Sequence, residues 1–339
     1  MKVFIILGNG FTIDFLTTFG FQQKIDVNNL FKYGSHVKWP CDNESGFLSF
    51  KHCPNLWTLG ARPHMDQDSA MKLIEDIITC ANVLASSQSI KPKKGVPNQV
   101  NTFIFAYKEL LQYLKYLFVH YDNCVPESGI KIDNWKWGKY FKKLNSNPDI
   151  DEVIVVTYNY DIWLEKTLKL CGINFGILPF ESNKFNLKFK IFKPHGSISF
   201  THKIINEKPA YSIKYNYELL DGKLADFEVA YENLDGNYAL TALIPPAGES
   251  GRFKYTWANQ IRTDVVSLAK KIKKNDQVLI CGISYWHVDR AELDELFMNF
   301  DDDINLRIIN PSIDRTLNAV ITSLFKNYIL YDSCDMLEE

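Results

Sequence analysis

At 339 residues the chain has room for one large α/β domain or two smaller ones, and a chain of this size buries about three quarters of its unfolded surface. Its 38 basic and 40 acidic residues leave a net charge of −2, too little to draw nucleic acid or an anionic membrane to the whole surface. Seven cysteines, odd in number and without a CxxC pair, argue against a disulfide framework and a zinc ribbon and fit a reducing cytoplasm. No stretch approaches the roughly 18 apolar residues of a membrane span, so no membrane contact is expected.

The chain opens on an apolar strand, Phe4-Ile5-Ile6-Leu7, that runs into Gly8-Asn9-Gly10-Phe11-Thr12. Glycines between a strand and a helix let backbone amides approach a diphosphate, whose charge the helix dipole favours. The third glycine of GxGxxG is missing, since position 13 is Ile, and an ordinary tight turn reads equally well. Residues 20 to 70 are irregular around Pro40, Pro54 and Pro63, with Trp39, Phe47, Phe50 and Trp57 among turn residues, as in an ordered lid. Apolar residues at 71, 74, 77, 78, 81 and 84 predict a helix over 71–85, with Asp68 or Ser69 as its N-cap. Residues 87–98, with Pro92 and Pro97 among lysines, predict a mobile, solvated loop. A second helix, 100–120, is apolar on more than one face, and a third, 135–144, ends before Asn147-Pro148. Residues 21–149 are therefore expected to form a mainly helical insertion into a domain made of 1–20 and 150–339.

Strand and helix alternate in the second half. A strand over 153–157 closes with Thr157-Tyr158-Asn159-Tyr160-Asp161, an apolar β-branched run that ends abruptly in polar groups. In extended backbone Asn159 and Asp161 share one side and the two tyrosines the other. Asp161 also suits the N-cap of a helix over 161–170. The strand 189–194 runs into His195-Gly196-Ser197, whose small neighbours leave the imidazole exposed, as a general base requires, although a lone histidine is as readily structural. A β-rich stretch over 198–238 precedes a strand at 240–244, a helix at 256–273 and a strand at 277–281 that leads to Gly282-Ile283-Ser284. A helix over 289–300 follows, with Asp289 as a possible cap, then a strand over 305–310 ending in Asn310, a helix over 313–326 and a strand over 328–331. The alternation predicts an α/β, Rossmann-like, doubly wound and mostly parallel sheet.

Taken in order, Gly8-Asn9-Gly10, Thr157 to Asp161, Pro194-His195-Gly196-Ser197, Gly282-Ile283-Ser284 and Asn310 resemble the sirtuin NAD-binding signature, and more narrowly the sirtuin-like proteins of bacterial antiphage defence. The two CxxC pairs of the deacylating sirtuins are absent, as is the Gly-Ile-Pro-Asp-Phe-Arg continuation of their first turn. The resemblance implies an NAD⁺ hydrolase that uses NAD⁺ as substrate and no zinc, with a deacylase, an ADP-ribosyl transferase or a non-catalytic sensor of NAD- or ADP-ribose-type ligands as alternatives. It implies Asn159, His195 and Asp161 as catalytic residues, with Asp161 on the nicotinamide or its ribose. Gly8, Asn9, Gly10, Thr12 and Thr157 would lie about the phosphates and ribose, and Gly282, Ser284, Asp289 and Asn310 toward the adenosine. It also implies a gate on an activity that would otherwise be toxic, either a homo-oligomer or a phage-sensing partner such as a ring-forming ATPase.

Overall fold

The computed structural model describes residues 1–40, 44–86, 99–206, 211–215, 221–246, 255–285 and 290–338. Among them the strands are β1 (Lys2–Leu7), β2 (Glu152–Thr157), β3 (Phe175–Ile177), β4 (Phe189–Phe192), β5 (Gly196–His202), β6 (Phe227–Val229), β7 (Thr241–Leu243), β8 (Gln277–Cys281), β9 (Asn305–Ile309) and β10 (Tyr328–Tyr331). The helices are α1 (Asn9–Phe19), α2 (Pro54–Thr58), α3 (Gln67–Ser86), α4 (Gln99–Asn123), α5 (Lys136–Ser146), α6 (Trp163–Leu170), α7 (Thr256–Ala269), α8 (Arg290–Phe297) and α9 (Arg315–Leu324). None of these helices is long and apolar enough to cross a membrane.

The chain divides into two compact units. The first comprises Met1–Gln22, Val125–Ser197 and Thr256–Glu339, and holds a seven-stranded sheet in the order β10-β9-β8-β1-β2-β4-β3 with every pair parallel. β1 and β2 are unbroken apolar runs because both their faces are covered, as a parallel sheet between helix layers demands. With β3 set aside, the remaining strands have the spatial order 3-2-1-4-5-6 of dinucleotide-binding folds, and the direction of winding reverses between β1 and β8. Register aligns the strand ends. Leu7 lies opposite Thr157 on one side and Cys281 on the other, Cys281 opposite Ile309, and Ile309 opposite Tyr331. The residues that follow, Gly8, Tyr158, Gly282 and Asn310, therefore leave the sheet along one edge.

Much of the aromatic content is spent fixing α1 beneath that edge. Phe11 and Phe15, one turn apart, pack on Trp135, and Phe15 also stacks on Trp163 at 5.5 Å. The same helical face carries Thr12, 1% exposed, which is thereby aimed at the turn after β2.

The second unit comprises Gln23–Cys124 and Ile198–Tyr255. It contains α2, α3 and α4 and a separate sheet in the order β6-β5-β7, with β5 and β6 antiparallel. The division differs from an insertion over 21–149: residues 125–149, with α5, pack in the sheet unit, and 198–255 join the helices. The strand at 240–244 belongs to the small sheet and not to the parallel one. At the start of α3 it is the Asp66 carboxylate that accepts the Ser69 amide, so neither Asp68 nor Ser69 is the capping side chain. The loop expected at 87–98 lies outside the described residues, as does Asp289.

Candidate functional site

The glycines at the carboxyl edge are explained first by packing. Gly282 has φ +61°, and a Cβ on Gly8 would stand 2.6 Å from Gly282 O, while one on Gly10 or on Gly282 would strike the other's Cα. The loops after β1 and β8 thus meet backbone to backbone. The Gly8 amide donates to Cys281 O at 3.0 Å and the Gly10 amide to Gly282 O at 3.2 Å. Two of the amides expected to cradle a diphosphate are therefore already committed, and exposed Asn9 is the turn residue whose amide has no partner among the described residues.

A continuous hydrogen-bonded set runs from this turn to the turn after β2. Asn159 Nδ2 donates to Gly8 O and to Thr12 Oγ1, both at 2.9 Å, and Thr12 Oγ1 donates to Asp161 Oδ2 at 2.7 Å. Thr157 Oγ1 accepts the Asn159 amide at 3.2 Å, which fixes the turn at the last residue of β2. Both hydrogens of the Asn159 side chain are used, and its Oδ1 takes no bond among the described residues, so toward any ligand Asn159 acts as an acceptor. Asp161, expected to touch nicotinamide or ribose, is 3% exposed, and its Oδ1 accepts the Trp163 amide at 3.1 Å. It positions Thr12 and starts α6. Burial raises its carboxyl above the usual range against the opposing pull of Lys193 and its own hydrogen bonds.

The turn after β4 is tied to the same place. Lys193 Nζ donates to Asp161 O at 2.5 Å and to Glu165 Oε1 at 2.9 Å, with both side chains of that ion pair fully buried. Ser197 Oγ donates to Tyr160 O at 3.3 Å, and the Tyr158 ring meets His195 edge-on with centroids 4.8 Å apart. His195 is 3% exposed, a correction to the open imidazole expected from its small neighbours: the Tyr158 ring and the Glu292 carboxylate lie against it.

Glu292, in the first turn of α8, stands 3.2 Å from His195 Nε2 and 3.0 Å from Arg262 Nε on α7. Burial alone would raise its carboxyl, but His195 and Arg262 hold it below the usual carboxylate range. An ionised carboxylate only accepts, so Nε2 carries the proton in this bond. Glu292 and Arg262 were not singled out in the sequence. The available signal was an acidic residue in the first turn of the helix predicted over 289–300.

The remaining candidates lie farther along the edge. Asn310 Nδ2 donates to Ile283 O at 3.3 Å and its Oδ1 accepts the Ser312 amide at 3.1 Å, bracing the loop after β8, on which Ser284 is exposed. No group of three His, Cys, Asp or Glu among the described residues is arranged to hold a metal ion. The constellation is an acceptor, Asn159, and a carboxylate-oriented imidazole at the edge where the winding reverses, suited to binding a nucleotide and orienting a water. Searches among protein-family models and among curated proteins find no match to this chain.

Proposed function

We propose that the chain is a sirtuin-like NAD⁺ hydrolase that cleaves the nicotinamide–ribose bond to give nicotinamide and ADP-ribose. The observation that carries this reading is the hydrogen-bonded set Gly8, Asn159, Thr12 and Asp161, tied by Tyr158 to a His195–Glu292 pair at the switch point of a Rossmann-like sheet. Ligands of such sheets bind at that point. Cleavage passes through an oxocarbenium-like state in which nicotinamide departs neutral and needs no proton. The protein's task is then to hold the ribose and to take a proton from the incoming water. Asn159 Oδ1 accepts a hydrogen bond from that water or from a ribose hydroxyl, and His195 takes the proton. The Glu292 carboxylate stabilises the resulting imidazolium, and Arg262 keeps Glu292 ionised. The nearly sealed His195 suits a resting form that awaits a trigger, whether self-assembly or a phage-sensing partner such as an ATPase.

Nicotinamide release from NAD⁺, measured for the chain alone and with a candidate partner, tests the reading. Asn159→Ala and His195→Ala are each expected to slow release about 10²- to 10⁴-fold. Equal rates in wild type and both variants would overturn the site, and tight ADP-ribose binding without turnover in any assembly would favour a sensor.

A further inference from the structure

The two edges of the parallel sheet are finished differently. At one, β3 is three residues long, its Ile177 amide is taken by Glu181 Oε2 at 2.9 Å, and a Cβ on Gly176 would stand 2.7 Å from Lys184 Cβ. That edge is covered by the turn that follows it. At the other, β10 has β9 as its sole strand partner among the described residues and reads Tyr-Ile-Leu-Tyr, with Ile329 52% and Leu330 41% exposed. It has none of the prolines, charges or bulges that normally keep an apolar edge strand from pairing.

Its backbone fixes how a partner strand would sit. Asn327 O accepts the Leu306 amide and Tyr331 O the Asn310 amide, so alternate residues 327, 329 and 331 face β9. Tyr328 and Leu330 then turn their N–H and C=O groups outward. We propose that β10 pairs antiparallel with β10 of a second copy of this chain, about a two-fold axis at Ile329. In that register each outward-facing Tyr328 lies opposite the second copy's Leu330, and Ile329 lies opposite itself. Lys326 lies opposite the second copy's Asp332 at both ends. Aromatic–aliphatic pairs and opposite charges are the favourable cross-strand combinations, and registers centred on Tyr328 or Leu330 forfeit the charge pairing. Lys326 now meets exposed Asp302 at 2.8 Å, a surface pair that offers little resistance to a new partner. The contact is isologous and closes on itself, and the covered β3 edge keeps it from continuing into a filament.

Sedimentation equilibrium of the full chain is the test, with thermal melts to show that each variant is folded. The mass is expected to approach that of a dimer at about 0.1 mM. Ile329→Lys, at an exposed position, is expected to weaken association at least about tenfold by setting two ammonium groups opposite each other. Lys326→Asp and Asp332→Lys each weaken it, and the double exchange restores it. On oxidation with diamide, Ile329→Cys cross-links to itself above the wild-type background, and Leu330→Cys does not. A monomer at 0.1 mM, a dimer indifferent to Ile329→Lys, or equal cross-linking of the two cysteine variants would overturn the proposal.

Discussion

Glu292 holds its charge between His195 and Arg262, with its carboxyl below the usual range. A carboxyl lowered in the folded state adds stability that is present above its unfolded value, about 4.3, and lost as the pH falls through the folded value. Glu292→Gln is therefore expected to cost roughly 1.5–3 kcal/mol at neutral pH, the worth of a hydrogen bond to a charged group, with the gap to wild type closing below pH about 4.3. Thermal melts across that range check this, and a gap that stays constant would mean that the carboxylate is not the contributing form. The residue scale also marks the reach of the sequence. Asn159, Asp161 and Thr12 were legible because each stands within a few residues of a strand end, and the structure joins them directly. Glu292 was hidden because it lies 97 positions from His195, and no local spacing connects an acid on one helix to an imidazole after a distant strand.

At the scale of elements, the strands over 277–281 and 328–331 and the alternation around them were legible, the first because a buried parallel strand is a continuous apolar run and the second because its four residues are apolar or aromatic even at an exposed edge. β3 was not: three residues with a central glycine fall below any periodic signal. Nor does an apolar pattern say which sheet a strand joins, which is why 240–244 was assigned to the wrong one. The Gly10–Gly282 contact yields a prediction at this scale. Gly282→Ala would suffer both the strain of φ +61° and the collision with Gly10, roughly 2–5 kcal/mol together. Gly20→Ala, with φ +77° but open space around it, would suffer the strain alone, about 1–2 kcal/mol. Urea denaturation should rank them in that order, and equal losses would show that the loops separate without penalty.

The whole molecule consists of two units, and the second is stitched from chain segments far apart. α4 is bound to the later segment by Tyr107 and Tyr255 hydroxyls 2.7 Å apart, by Lys115 Nζ to Gly236 O at 2.9 Å and by Tyr211 to Gln112 at 3.1 Å. The pattern over 198–255 marks a β-rich stretch but not the helices it packs on, so this return of the chain was invisible in the sequence. Residues 23–124 expressed alone are expected to melt without a cooperative transition in circular dichroism, and a chain that links them to 198–255 to recover one. A cooperative melt of 23–124 alone would show that the later segment is an accessory.

The glycine contact in the sheet unit has one further consequence, for any exchange of chain segments. The turn after β1 and the loop after β8 are separated by most of the sequence, yet neither accepts a side chain while the other is present. A recombinant that takes its first twenty residues from one relative and its last third from another must carry glycine on both sides of the join. The two ends are sterically matched parts, whatever lies between them.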